Sequence, residues 1–155
     1  MIPAMILTTA LVAICVLIHY EVLRLSSDVL IPRMAGPPRS RLLIVMAAAF
    51  VAHTIEVWAF AVSYFVFSDH LGIGTLGGER DHTFAEFVYF STQTYTSLGF
   101  GDVYPVGGLR LVAGVEALLG LLMIGWTVSF TYLQMERFWD AHPGRLKRGG
   151  STKNG

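Results

Sequence analysis

The stretch YTSLGFGDVYP, from Tyr95 to Pro105, is the most informative segment of this chain. Two glycines, Gly99 and Gly101, bracket an aromatic residue, hydroxyl side chains precede them, and Asp102 follows. Glycine adopts positive φ angles at little steric cost, so glycines at alternate positions indicate a backbone that is neither helix nor strand. The surrounding sequence indicates where such a backbone would lie.

The composition around this stretch is that of a membrane protein. Hydrophobic residues make up 54% of the chain and charged residues 14%, whereas soluble domains carry about 25% charged residues. Three apolar stretches approach or exceed the roughly 20 residues that cross a bilayer: Ile2 to Leu25, Leu42 to Phe67 and Leu109 to Tyr132. We therefore predict an all-α membrane protein with three transmembrane helices. Its 11 basic and 11 acidic residues balance, which argues against a nucleic-acid partner.

The segment between the second and third apolar stretches predicts a re-entrant loop. Thr83 and Glu86 form the T-x-x-E pattern of a capping box, which predicts a helix over 83–96 that is too short to span a membrane. Gly99 and Gly101 follow this helix directly. Lipid tolerates irregular backbone only where protein or a water-filled cavity covers it. The pattern therefore implies a pore, or at least a protein-lined cleft.

The basic residues predict the orientation of the chain in the membrane. Nine of them cluster around the linker after the first apolar stretch or follow the third: Arg24, Arg33, Arg39, Arg41, Arg137, Arg145, Lys147, Arg148 and Lys153. Because basic residues are enriched on the cytoplasmic side, the N-terminus is expected outside and the C-terminus inside. The re-entrant segment then enters the membrane from the external face.

The residues of SLGFGD are suited to replacing the water molecules around a cation. Backbone carbonyls can form rings of oxygens if Gly99 and Gly101 adopt the required dihedral angles. The hydroxyl of Ser97 can add a further ring at the inner end. Leu98 and Phe100 are expected to turn away and wedge the segment against its surroundings. Asp102 then lies at the outer mouth, where it attracts cations or holds the loop by hydrogen bonds.

These residues resemble the potassium-channel pore-domain family, whose selectivity filter reads roughly TVGYGD. Ser97 to Asp102 match that motif, and DVYPVGGLRLVAG, from Asp102 to Gly114, is similar to KcsA-like bacterial two-helix pores. The resemblance covers about 100 residues and leaves the first apolar stretch as an additional N-terminal helix. Leu98 in place of a β-branched residue and Phe100 in place of tyrosine are departures that bear on selectivity.

The resemblance implies a division of the chain and an assembly. Each chain supplies one loop, so the family's filter implies a homotetramer around a fourfold axis, surrounded by membrane lipids, with K+ at the filter and no other cofactor. The expected segments are an N-terminal transmembrane helix at 1–25, a cytoplasmic linker at 26–40, a pore domain at 41–135 and a cytoplasmic tail at 136–155. Within the pore domain we expect an outer helix at 41–67, an external turret at 68–82, a pore helix at 83–96, the filter at 97–102 and an inner helix at 109–135.

The resemblance also assigns roles around the filter. Gln93 falls behind the filter, where it is expected to bond to filter backbone or to Asp102, with a simple packing amide as the alternative. Thr96 is expected to satisfy a backbone carbonyl within the short helix. Gly120 matches the family's hinge glycine, and close packing of a small residue is the alternative. The expected cavity-lining residues are Leu121, Ile124 and Val128.

Polar residues inside the spans form a second candidate site. His53 and Glu56 lie three apart on one face of the second span, where an unpaired charge is costly. Glu116 is the expected partner by depth, and a hydroxyl of the first span is the alternative. A structural polar clamp and a pH sensor are both open interpretations. His19 is expected at the cytoplasmic end of the first span as an interfacial anchor. The spacing of the five histidines predicts no metal site.

The sequence therefore predicts a potassium-selective channel of the cytoplasmic membrane, without a soluble regulatory domain. Because Leu98 and Phe100 depart from the family's motif, a nonselective cation channel of the same architecture is an alternative. A non-conducting membrane subunit, or a membrane enzyme that uses His53, Glu56 and Glu116, is the alternative of another class. No nucleophile or metal cluster accompanies those acids and bases, so we predict that the chain is not an enzyme.

Overall fold

Three long helices and a shorter fourth helix form most of the described part of the protein. The computed structural model describes residues 2–33, 38–78 and 83–140. The α-helices are α1 (Ile2–Leu25), α2 (Ile31–Arg33), α3 (Pro38–Phe65), α4 (Phe84–Tyr95) and α5 (Leu109–Asp140), with π-helical turns at Ser26–Leu30 and Val66–His70. Two short strands, β1 (Gly74–Gly78) and β2 (Val103–Gly107), complete the fold.

Three helical segments are long and apolar enough to cross a membrane, namely Ala4–Arg33, Ser40–His70 and Leu109–Arg137. The prediction of an all-α membrane protein with three spans is confirmed. The short helix α4 packs between α3 and α5, and α1 packs against the same two helices. The buried core joins all of these elements, with Cys15, Tyr64, Phe90, Tyr95 and Val112 among its members.

The predicted break after the first span is wrong, because the helix continues through the expected linker as far as Arg33. Ser26 fits within the helix because its hydroxyl donates to the carbonyl of Val22, at 2.7 Å. Pro38 is the first residue of α3, where the N–H that proline lacks has no partner within the helix. The remaining part of the linker, 34–37, lies outside the described residues.

The helix α4 begins at Phe84, but the capping box that predicted it does not form as expected. Thr83 has the extended conformation of a residue that precedes a helix, yet its side chain makes no capping hydrogen bond. The N–H of Glu86 donates instead to the backbone carbonyl of Thr83, at 3.1 Å. At the other end of the pore domain, α5 extends to Asp140, so that 136–140 of the expected tail are helical. Residues 141–155 are not described.

Part of the segment expected as an external turret, 68–82, forms one strand of a two-stranded ribbon. β1 pairs with β2 in antiparallel register, and Leu76 lies opposite Pro105. The glycines of β1 allow the close approach, because a Cβ on Gly74 would lie 2.2 Å from the carbonyl oxygen of Val106. The ribbon therefore connects the segment after α3 to the segment that follows Asp102. Residues 79–82 of the turret lie outside the described part of the chain.

Gly120 allows α5 to approach the C-terminal end of α4. A Cβ on Gly120 would lie 2.0 Å from the carbonyl oxygen of Tyr95, a distance that real Cβ atoms do not reach. The packing interpretation of Gly120 thus has a direct structural basis. Bending at this glycine remains a prediction.

We predict that Gly120→Ala destabilises the protein and Gly125→Ala does not. The first change forces α5 away from the backbone of Tyr95, and overpacking of this kind costs about 1–3 kcal/mol of unfolding free energy. The second adds a methyl group in the same helix where no atom lies within 4 Å. Thermal unfolding in detergent, followed by tryptophan fluorescence, measures both. An equal loss of unfolding free energy in the two variants would show that the contact between Gly120 and Tyr95 is not tight.

Candidate functional site

The segment Ser97–Asp102 follows the last turn of α4 and leaves regular secondary structure. Its φ angle is positive at every second residue, with values of 57° at Ser97, 53° at Gly99 and 84° at Gly101. Alternating left-handed and right-handed residues allow successive carbonyl groups to point to one side of the chain. The two glycines adopt this conformation freely, whereas a positive φ is uncommon for serine. The sequence contains no signal for the conformation of Ser97.

Gln93 holds this segment from behind. Its backbone carbonyl accepts hydrogen bonds from the N–H groups of Leu98, at 2.9 Å, and Gly99, at 3.2 Å. Its side-chain oxygen accepts a third from the N–H of Phe100, at 2.9 Å. Gln93 is buried, with 3% of its surface exposed, so these bonds are shielded from competing water. One residue of α4 therefore satisfies three consecutive N–H groups.

The carbonyl oxygens of the segment remain free of hydrogen bonds. The N–H of Ser97 donates to the carbonyl of Thr94, at 2.9 Å, which adds a fourth N–H group to those directed toward α4. Within the described part of the chain, no hydrogen bond uses a carbonyl of Ser97–Gly101 as its acceptor. The segment thus presents a row of unoccupied acceptor oxygens. The hydroxyl of Thr96 donates to the carbonyl of Thr92, at 2.8 Å.

Tyr89 fixes the outer end of the segment. Its hydroxyl donates to one carboxylate oxygen of Asp102 at 2.7 Å, and the other carboxylate oxygen accepts from the N–H of Val103 at 2.9 Å. The hydrogen bond from Tyr89, followed by that from the backbone of Val103, holds the pKa of Asp102 below its usual value. Asp102 is therefore ionised at neutral pH. Sequence analysis did not single out Tyr89.

Leu98 and Phe100 do not wedge the segment within the chain. They are 60% and 66% exposed, respectively. A groove of about 400 Å³ lies along the same segment, bordered by Gln93 and Gly99 on one side and by Ala113 on α5. Within their own chain, Leu98 and Phe100 therefore stay mostly uncovered.

The expected pairing of Glu116 with His53 and Glu56 is wrong. The carboxylate of Glu116 accepts from the hydroxyl of Tyr64 at 2.5 Å and lies 2.5 Å from the hydroxyl oxygen of Ser91. Glu116 is fully buried. It therefore links α3, α4 and α5 through groups that the sequence offered no reason to pair.

Glu56 pairs instead with a residue of the first helix. The Nδ1 atom of His19 lies 3.0 Å from Glu56 Oε1, and both side chains are fully buried. The role of interfacial anchor predicted for His19 is therefore wrong. The reason is the length of the helix, because the chain stays helical for another 14 residues (33 minus 19) to Arg33, about 21 Å at the usual helical rise.

His53 completes this cluster. Its Nδ1 atom lies 2.8 Å from the hydroxyl of Tyr95, which also donates a short hydrogen bond to Glu56. Its Nε2 atom lies 3.0 Å from the hydroxyl oxygen of Thr127, and Nε2 of His19 lies 3.0 Å from the same oxygen. Four helices, α1, α3, α4 and α5, thus meet in one hydrogen-bonded ring. Thr127 and Tyr95 were not predicted as members.

The residues expected to line a cavity lie on one exposed side of α5. The exposed fractions are 56% for Leu121, 37% for Ile124 and 64% for Val128. Gly120 is buried against Tyr95 on another side of the helix. In a single chain these three apolar side chains therefore face outward.

We predict that Glu116→Gln is tolerated and Glu116→Leu is not. The amide of glutamine can still accept from Tyr64 and donate to Ser91, whereas leucine leaves the buried hydroxyl of Tyr64 without its partner. The hydroxyl of Ser91 keeps a second partner, the backbone carbonyl of Val57, at 2.8 Å. An unsatisfied buried polar group costs about 1–3 kcal/mol of unfolding free energy. Thermal unfolding in detergent measures both variants. A leucine variant as stable as the native protein would contradict the role assigned to this carboxylate.

We predict that Tyr89→Phe removes an acid-sensitive contribution to stability. Because the pKa of Asp102 is lowered in the folded protein, its contribution is full above the ordinary aspartate pKa of about 3.9 and is lost as the pH falls through the lowered value. The variant should show a flatter dependence of the unfolding temperature on pH across this acidic range. Tyr104→Phe is the matched control, because Tyr104 lies on β2 with half of its surface exposed. An unchanged pH profile in Tyr89→Phe would contradict the assignment.

Comparisons with known proteins agree with this geometry. Residues 42–136 match the model of a protein family described as an ion channel. Protein LctB of Geobacillus stearothermophilus is 40% identical over 60 residues, which cover 39% of this chain and 45% of that protein, so the chain spans less than half the length of this relative. No solved structure matches the chain. Because the family match covers more than half of the chain, the protein belongs to this non-enzymatic ion channel family, the pore-domain family that its glycine-rich segment resembles.

Proposed function

We propose that this protein is a potassium-selective channel of the cytoplasmic membrane. The observation that carries the proposal is the row of free carbonyl oxygens at Ser97–Gly101, whose N–H groups are directed toward α4. Backbone carbonyls of this kind can replace the hydration shell of a K+ ion and allow passive conduction through several weak sites. In this proposal α3 is the outer helix, α4 the pore helix and α5 the inner helix.

Two side chains extend the ion path at either end of the filter. The hydroxyl of Ser97 adds an oxygen at the inner end. The hydrogen bond from Tyr89 lowers the pKa of Asp102 further below its ordinary value, and the negative charge of Asp102 raises the local concentration of cations at the outer mouth. Gln93 and Thr96 support the filter from α4. No other cofactor is required for this passive mechanism.

A homotetramer accounts for the apolar surface of the single chain. Leu98 and Phe100 are mostly exposed, and a groove of about 400 Å³ lies beside the filter. A neighbouring copy related by cyclic symmetry can fill such a groove with the same side chains and close the assembly without exposed filter backbone. Leu121, Ile124 and Val128 on α5 would then line the cavity below the filter, with Gly120 as the point of bending.

The charges support one orientation in the membrane. Basic residues cluster near the end of α1 and near the end of α5, so both regions are placed in the cytoplasm and the N-terminus outside. The filter then opens to the external side. The N-terminal helix lacks the repeated arginines of a voltage sensor, and its contacts with α3 and α5 fit a role at the periphery of the pore.

The buried polar groups fit a structural clamp. His53 and Glu56 connect α3 to α1, α4 and α5, and Glu116 makes a separate connection among α3, α4 and α5. These bonds fix α4, and therefore the filter that follows it. A pH sensor built on His53 predicts that His53→Gln flattens the pH dependence of the current, and an unchanged pH dependence would exclude that role.

A nonselective cation channel is the second candidate function. Phe100 has no hydroxyl to hold the filter, and neither Phe100 nor Leu98 is packed within its own chain. Such a filter could widen enough to admit Na+. The reversal potential distinguishes the two functions.

We predict a reversal potential near the K+ equilibrium potential when purified protein in a planar bilayer separates potassium from sodium. Gly99→Ala should abolish the selective current, because the left-handed conformation at φ 53° costs a residue with a Cβ about 1–2 kcal/mol. Gly72→Ala is the matched control, since Gly72 has φ 58° and, like Gly99, no atom within 4 Å of an added Cβ, but lies outside the filter.

Each result decides between the candidates. A reversal potential near zero for the native protein favours the nonselective channel. A selective current that survives Gly99→Ala would contradict the filter assignment. An equal loss in Gly72→Ala would show that general destabilisation, not the filter, explains the effect. Absence of current at every pH tested, from protein whose thermal unfolding shows that it is folded, would contradict the channel function.

A further inference from the structure

Three metal-ligating side chains from two helices converge in the buried ring that contains Tyr95. One donor atom each from His19, His53 and Glu56 lies within 4.8 Å of the others. Nδ1 of His19 lies 3.0 Å from Glu56 Oε1, and Nδ1 of His53 lies 3.6 Å from Glu56 Oε2. Ligands bound tetrahedrally to Zn²⁺ at about 2.0–2.1 Å lie roughly 3.4 Å from one another. Each histidine therefore lies at nearly the required spacing from one oxygen of the Glu56 carboxylate, His19 from Oε1 and His53 from Oε2.

The ring of hydrogen bonds lacks one hydrogen atom. It contains five contacts: His19 to Glu56, Glu56 to Tyr95, Tyr95 to His53, His53 to Thr127, and Thr127 to His19. Each contact needs one hydrogen. Two neutral imidazoles and two hydroxyl groups supply only four, and the carboxylate supplies none. With these groups in their ordinary forms, one buried contact has no donor.

A metal ion resolves this deficit. If both Nδ1 atoms bind a metal, each histidine carries its hydrogen on Nε2, and the hydroxyl oxygen of Thr127, 3.0 Å from both Nε2 atoms, can accept both hydrogens through its two lone pairs. Histidines that bind metals usually donate their other N–H to an oxygen in this way. The hydroxyl of Tyr95 contacts both Nδ1 of His53 and the carboxylate of Glu56, so it would be a nearby oxygen donor for a bound ion.

We propose that His19, His53 and Glu56 bind one divalent transition-metal ion per chain, with Zn²⁺ as the best-fitting ion. Two imidazole nitrogens and a carboxylate oxygen suit Zn²⁺, whereas Ca²⁺ and Mg²⁺ prefer oxygen ligands only. The histidine spacing along the sequence predicted no metal site. The proposal differs from that prediction because it rests on the distances between these side chains in space. The proposal does not depend on potassium conduction.

The site gives α1 a specific connection to the pore domain. His19 lies outside the region that matches the channel family, whereas His53 and Glu56 lie inside it. The site contacts Tyr95, the last residue of α4 and two residues before Ser97. The side chain of His53 is 19% exposed, and those of His19 and Glu56 are fully buried, so an ion would enter past His53. Metal binding is thus expected to stiffen the connection between the first helix and the start of the filter.

The experiment is a titration of chelator-stripped, full-length protein in detergent with Co²⁺, which reports its coordination number through its visible absorption spectrum. We expect one Co²⁺ per chain with the intense spectrum of a four-coordinate site, and its displacement by Zn²⁺. His19→Gln and His53→Gln should each weaken binding by more than tenfold. His70→Gln is the matched control, because His70 is exposed outside the cluster and its loss should leave binding unchanged.

Further measurements keep the test independent of variant folding. Saturating Zn²⁺ should raise the unfolding temperature of the native protein, because a ligand that binds only the folded state stabilises it. Thr127→Val, which removes an acceptor but no ligand, should weaken binding by about tenfold. The proposal is overturned if the native protein binds no Co²⁺, if the spectrum is that of a six-coordinate ion, or if binding survives in both histidine variants. A bound proton would then complete the ring instead.

Discussion

An irregular backbone segment at membrane depth must find its hydrogen-bond partners within the protein, because lipid supplies none. In this protein that constraint applies to Ser97–Asp102. Gln93 provides most of the hydrogen-bond partners, since its backbone and side-chain oxygens accept from the N–H groups of Leu98, Gly99 and Phe100. The N–H groups are thereby directed toward α4, and the carbonyl oxygens remain free for a cation. The same set of bonds thus satisfies the backbone and creates the chemistry of the site.

Because Ser97–Asp102 is held by α4, the geometry of this segment depends on what holds α4 in place. Buried polar bonds do this at two levels: Glu116 connects Ser91 of α4 to Tyr64 of α3, and the ring through Glu56 connects Tyr95 of α4 to α1, α3 and α5. Gly120 allows α5 to touch the backbone of Tyr95 itself. Tyr95 is therefore the residue at which α1 and α5 meet the end of α4, two residues before Ser97. A change in α1 can reach Ser97–Asp102 through this residue.

The sequence predicted the features that follow from local rules. Apolar length predicted the three spans, and the short helix before GFG predicted the re-entrant arrangement. Features that depend on distance in space were missed. His19 was placed at the membrane surface because the first span was expected to end at Leu25, whereas the helix continues to Arg33. β1 was missed because its glycines resemble a loop, and only the pairing with β2 explains them. The partners of Glu116 and the positive φ of Ser97 likewise depend on tertiary contacts that no spacing in the sequence reveals.

The central claim is that free carbonyl oxygens of Ser97–Gly101 coordinate potassium ions at the axis of a four-chain assembly. Electron cryomicroscopy of the full-length protein in lipid nanodiscs, prepared in parallel in potassium and in sodium, tests it most directly. We expect four chains around one axis and, in potassium, a column of ion density level with these carbonyls. In sodium, this density should be weaker or rearranged. An assembly of another symmetry, or a fourfold pore with no axial density in potassium, would contradict it.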